Sequence, residues 1–165
     1  MGTERPWTDE AWIRQTRRIL DSYAHWIGEQ LIDRAASLAD DSENLFHAPF
    51  VVVSHGTQAD PILNYGNAQA LALWEMDLET LLQTPSRMTA EPVHRDERAQ
   101  LLKRTTENGY VDDYTGIRIS STGRRFFIKR ATVWNLLDES GANAGQAATF
   151  SEWTEVDSRS LGATS

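Results

Sequence analysis

Cysteine is missing from all 165 positions. No disulfide, thiolate metal site or thiol nucleophile can therefore exist, and the redox compartment stays open. No stretch approaches the roughly 18 apolar residues of a membrane-spanning helix, and the opening Met-Gly-Thr-Glu-Arg-Pro-Trp-Thr-Asp-Glu has no apolar core of signal-peptide length. A cytoplasmic protein with no membrane partner is expected. Positive charge is also scarce: 16 Lys and Arg against 24 Asp and Glu leave a net charge of −8. That field repels phosphate backbones and argues against a nucleic-acid partner. There is no glycine-rich phosphate loop and no serine in a nucleophile elbow. His25, His47 and His55 are scattered, without the helical spacing of a metal-binding pair.

What is present reads as one domain, since 165 residues with 40% hydrophobic content suit a single core. From Tyr110 to Leu137 two arms rich in β-branched and aromatic residues flank Thr122-Gly123, which tolerates positive φ where the chain reverses. Asp138-Glu139-Ser140-Gly141 marks a second turn, and a third strand is expected from Ala147 to Val156. Helices followed by three antiparallel strands define an α+β fold.

Toward the N-terminus, Thr8-Asp9-Glu10 has the chemistry of a helix start. Trp12, Ile19, Leu20, Tyr23, Ile27, Leu31 and Leu38 then recur at helical spacing, drawing one apolar stripe along roughly thirty residues that Gly28 would kink. Two occupants suit that stripe: a second copy of the chain, with Trp12, Ile19, Leu20, Tyr23 and Ile27 as a homodimer interface, or the domain's own sheet. Asp40-Asp41-Ser42-Glu43-Asn44 reads as a break. The expected division is a helical extension over 1–45, a domain over 46–156 and a flexible tail over 157–165. Within the domain, strands are expected at Phe50–Ser54 and Ile62–Tyr65, a helix capped by Asn67, a short helix over Met76–Leu82, and a longer one over Arg95–Glu107 stopped by Asn108-Gly109.

That order of elements resembles a PAS domain. Ile62 to Leu71 resembles the step in which an Asn opens a helix after a strand, and Asp77 to Leu82 resembles the short helix that follows. The strings Pro85 to Glu91, Gly116 to Ser121, Gly123 to Phe126 and Val133 to Asp138 resemble the MEKHLA domain, from about Trp12 to Trp153. That PAS-like family occurs at the C-terminus of class III homeodomain-zipper plant regulators and as small bacterial proteins, and the chain looks like a stand-alone bacterial member. The resemblance implies a five-stranded antiparallel sheet with short helices over a concave face able to hold a ligand or partner. It implies no activity.

The ligand-binding candidates are Trp74, Ser86, Arg87, Arg118, Ile128, Arg130 and Trp134. Ser86 stands where flavin-binding light sensors carry the adduct-forming Cys, so the adduct is excluded, while Arg87 could grip an anion or pair with Asp77, Glu79 or Glu91. His94 lies near the haem-ligand position of haem-binding sensors, but spacing to Gly109 puts the match nearer Arg98. Neither flavin nor haem is therefore expected, and the protein should be colourless. Strand parity leaves two readings of Arg130: inward with Ile128 and Thr132, or outward with Phe127, Ala131 and Val133 turned in, a bulge near Gly123 deciding. Asp112 and Asp113 alternate across a strand and read as surface charges. The leading expectation is a non-catalytic sensory or interaction domain, homodimeric, with a small-molecule ligand or a regulatory protein partner. An enzyme acting on an anionic small molecule, and a scaffold whose pocket Trp74 and Trp134 fill, are the alternatives.

Overall fold

The structure, a computed structural model, describes residues 5–91 and 95–156. The tail over 157–165 and His94 lie outside the described residues. Helix α1 (Glu10–Ile27) begins where the Asp9 carboxylate accepts from Ala11 N at 3.3 Å, with Glu10 favourably placed in the first turn. It ends at Gly28, whose φ of 84° is left-handed and whose N–H bonds to Ala24 O. The stripe expected to run through one long helix is therefore divided between two. The acidic run expected to interrupt it forms the body of α2 (Leu38–Phe46), capped by Ser37 Oγ on Asp40 N at 3.1 Å. Polarity misleads there because the acids complement the helix N-terminus. Asp41 is moreover buried, accepting from Arg34 Nε at 2.8 Å and Ala35 N at 2.7 Å.

The remaining elements are β1 (Val51–His55), β2 (Leu63–Gly66), α3 (Ala68–Trp74), α4 (Leu78–Leu81), a 3-10 turn (Ser86–Thr89) and α5 (Arg95–Asn108). They are followed by β3 (Tyr110–Ile119), β4 (Arg125–Leu137), β5 (Asn143–Phe150) and β6 (Glu152–Val156). All pairings are antiparallel, in the order β2-β1-β5-β4-β3, with β6 also on β4. Six strands thus appear among the described residues where five were read. β5 and β6 are one strand interrupted at Ser151, because Thr132↔Thr149 and Lys129↔Glu152 keep a single register along β4. Opposite the interruption, Arg130 takes a φ of 52°.

Helices cover both faces of the sheet. On one, Trp12, Ile19 and Leu20 of α1 and Leu45 and Phe46 of α2 pack against Val52, Tyr65, Trp134 and Leu136. Trp12 stacks on Tyr65 at 4.5 Å between ring centroids, and Tyr23 meets the Trp134 edge at 5.0 Å. The homodimer stripe is corrected accordingly. Ile19 and Leu20 are fully buried against the domain's own sheet, with Trp12 beside them, while Tyr23 and Ile27 are half-buried. Within the expected extension over 1–45, Trp12, Ile19, Leu20 and Leu45 thus belong to the same core as the sheet. The second face is packed by α3 and α5, through Ala70, Trp74 and Leu101, onto Val51, Val133, Phe126, Ile128 and Phe150.

Gly109 joins α5 to β3 with a φ of 90°, and a Cβ there would come within 2.4 Å of the Trp26 ring. Only glycine fits both demands. No described helix is long and apolar enough to cross a membrane.

Candidate functional site

A cavity of about 70 Å³ lies between the second face of the sheet, α3, the 3-10 turn and α5. Its wall is mostly apolar, with Trp74, Leu101, Ile128, Val133 and Phe150 among the lining residues, but polar groups interrupt it, among them His55, Ser86, Arg98, Tyr114 and Arg118. Each is placed by regular structure. His55 follows Val51 and Val53 on alternate positions of β1, Arg98 sits one turn before Leu101 on α5, and Tyr114 and Arg118 are four residues apart on β3. Ser86 opens the 3-10 turn.

The two guanidiniums are the unusual element. Arg98 is 9% exposed and Arg118 7%. Arg98 Nη2 donates to Ser86 Oγ at 2.6 Å; Arg118 Nη1 donates to Ile117 O at 3.1 Å and its guanidinium lies 5.2 Å from the Tyr114 ring centroid. Neither has an ion pair among the described residues. A buried cation without a carboxylate is costly, and burial together with Arg118 brings the Arg98 pKa down to about 10. The carboxylates whose field reaches this group of residues, Asp60 and Glu97, stay outside the cavity wall.

His55 adds an acceptor. Its Nδ1 donates to Gly56 O at 3.0 Å, which leaves Nε2 as a bare lone pair, buried and without a hydrogen-bond partner among the described residues. Burial, assisted by Arg98, holds its pKa below the usual 6.5. The folded protein then binds fewer protons here than the unfolded chain, so the stability His55 contributes is complete above pH 6.5 and is lost as pH falls through the folded value. Urea midpoints of the wild type should therefore fall more steeply than those of His55→Gln between about pH 7 and pH 5. Parallel profiles would remove His55 from that role.

Of the residues expected at the site, Trp74, Ser86, Arg118 and Ile128 do line the cavity. Three do not. Trp134 is completely buried on the opposite face, under α1, because its parity on β4 is the reverse of that of Val133. Arg130 is exposed. No register shift lies near Gly123, where a bulge was expected; the bulge is at Arg130 itself, with its left-handed backbone, so that Phe126 and Ile128 face the cavity side before it, and Ala131 and Val133 after it. Each of the two parities is thus correct for half of the strand.

Arg87 is 46% exposed and its Nε donates to Asp60 at 3.1 and 3.2 Å. Two of the three acids expected as partners are engaged elsewhere: Asp77 caps α4 on Thr80 N at 2.8 Å, and Glu91 accepts from Arg125 at 2.6 and 2.8 Å. Since exposed pairs contribute about 0–1 kcal/mol, Arg87→Ala should move the urea midpoint little. A loss above about 2 kcal/mol would show that Arg87 holds the 3-10 turn in place.

Arg98, His55 and Tyr114 were missed as ligand contacts. Their signals lay in the pattern: Arg98 precedes Leu101 and Thr105 on the buried face of α5, and His55 continues the inward alternation of Val51 and Val53. Polar residues at inward positions were the clue.

The comparisons with known proteins bear on family and fold. Residues 13–155 match the MEKHLA domain. Two homeobox-leucine zipper proteins of Arabidopsis thaliana, ATHB-9 and ATHB-14, are 28% and 27% identical over 100 residues, 61% of this chain; the match spans 12% of the length of each. Among solved structures, the PAS domain of a protein from Colwellia psychrerythraea superposes with a TM-score of 0.58 at 16% identity, over 72% of this chain and 96% of that one. A light-oxygen-voltage domain studied with a flavin analogue gives 0.53 at 17%, over 74% and 89%. An RNA-binding light-oxygen-voltage receptor gives 0.55 at 14%, over 80% of this chain and 35% of that one. At such identities the structural likeness shows the fold alone, a PAS-like α+β domain. The family match covers nearly the whole chain, and the chain belongs to the MEKHLA domain family.

Proposed function

We propose that this domain is a non-catalytic sensory module that binds a small molecule in the cavity beneath α5. The observation that carries this reading is the pair of buried guanidiniums, Arg98 and Arg118, that face a cavity without a carboxylate of their own. A scaffold filled by its own side chains has no use for two such groups. Size favours a very small ligand: an engineered apolar cavity of about 150 Å³ takes the six carbons of benzene, so about 70 Å³ holds about three to four heavy atoms. That volume supports neither a flavin nor a haem. An enzyme has less support, since no carboxylate among the described residues lines the cavity and Ser86 Oγ accepts from Arg98 rather than facing a base.

A route from ligand to output follows from the contacts. Arg98 belongs to α5, which Gln146 of β5 also ties to the sheet through Leu102 O and Thr106 Oγ1, both at 3.1 Å. A ligand that draws Arg98 inward biases how α5 seats on the sheet, and a regulatory protein or a second copy of the chain would read that change. Native mass spectrometry of freshly purified protein tests the reading. A retained molecule should appear and should be lost in Ala148→Met, which narrows the cavity wall. A bare-chain mass from every preparation, with unchanged behaviour of Ala148→Met, would contradict it.

A further inference from the structure

We infer that the ligand of this cavity is a small organic carboxylate whose head sits between Arg98 and Arg118 and whose short hydrocarbon part lies against the apolar wall. The inference rests on the sensory reading and deepens it. Three observations carry it. First, both guanidiniums are at least nine-tenths buried and neither has an acid partner among the described residues, so the protein alone holds two like charges in a poorly solvated place. A single carboxylate accepts from both and relieves both. Arg98 and Arg118 each make one hydrogen bond in the structure, to Ser86 Oγ and to Ile117 O, which leaves most of their five donors available.

Second, the rest of the wall suits carbon rather than oxygen. Trp74, Ile128 and Phe150 form an apolar surface that an inorganic oxyanion would leave in contact with its own charge. Third, the volume sets the length: room for about three to four heavy atoms fits a carboxylate with at most one or two further carbons and excludes an aromatic or long-chain acid.

The test uses the full chain and three probes at matched ionic strength: sodium propionate, neutral propionamide and sodium phosphate. At about ten times its Kd, propionate should raise Tm by roughly 3–6 °C, while propionamide and phosphate leave it unchanged. Arg118→Leu supplies a second readout that a merely structural arginine would not give. Removing one of two repelling cations should leave the ligand-free Tm equal or higher, and the propionate shift should vanish. The inference is overturned if propionamide or phosphate stabilises as well as propionate. It is equally overturned if Arg118→Leu lowers Tm and keeps the shift, or if none of the probes acts. Native mass spectrometry separates its failure from that of the sensory reading. A retained neutral molecule displaced by Ala148→Met leaves the pocket and removes the carboxylate, whereas no retained mass and no shift remove both.

Discussion

Replacing Ile19 and Leu20 with aspartate is expected to unfold the protein, not to divide a dimer. Both side chains are completely buried between α1 and the sheet. Each change removes a large apolar group from a packed core and puts a carboxyl in its place, with a cost on the order of 4 kcal/mol or more apiece. The pair therefore approaches the whole stability of an ordinary domain, about 5–15 kcal/mol. Far-ultraviolet circular dichroism and a urea titration of the double variant check this, and the expected result is loss of the cooperative transition. A variant that stays folded and differs only in molecular mass would mean that the stripe faces a second copy after all.

Asn67→Ala is the next largest expected loss, about 4 kcal/mol. Asn67 is fully buried and makes four hydrogen bonds: Oδ1 accepts from Val52 N at 3.0 Å and Ala70 N at 3.2 Å, and Nδ2 donates to Leu45 O at 3.2 Å and Phe50 O at 2.8 Å. The side chain thus pins the end of α2, the start of β1 and the first turn of α3 to one point. Truncation leaves four buried backbone groups without these partners, each costing about 1–3 kcal/mol unless water reaches it; partial hydration brings the sum down to the stated value. Asn67→Ser discriminates the components, because its hydroxyl can still cap α3 through the Ala70 N–H while the bonds to Val52, Leu45 and Phe50 are lost. The urea midpoint should fall in the order wild type, Asn67→Ser, Asn67→Ala, at constant m. An Asn67→Ala loss near 1 kcal/mol, the ordinary value of an N-cap, would show that the side chain acts only on its helix.

Asn67 also shows how far the sequence could be read. Its capping role was legible, because an Asn before Ala-Gln-Ala-Leu is a local signal; its bonds to Leu45 and Phe50 were not, since they depend on where a distant helix ends. The hairpin of β3 and β4 was legible from composition and Gly123, but Arg130 was misplaced because a left-handed bulge at a non-glycine leaves no mark in an alternating pattern. Within the site, Trp74, Ser86, Arg118 and Ile128 followed from the family pattern and strand parity. Trp134 failed because an aromatic on a strand buried on both faces gives no sign of which face it takes. Arg98 was hidden by its neighbours: α5 is so charged overall that one inward arginine among outward ones does not stand out without the register of Leu101 and Thr105.

The claim that this cavity takes a ligand between its two arginines is tested most directly by nitrogen–proton correlation NMR during a propionate titration. The Nε–H resonances of Arg98 and Arg118 and the amides of Ser86 and Tyr114 should shift together and saturate, while the Nε–H of the exposed Arg87 stays in place. Shifts confined to Arg87 and other surface groups, or growing linearly without saturation, would contradict a binding site at Arg98 and Arg118.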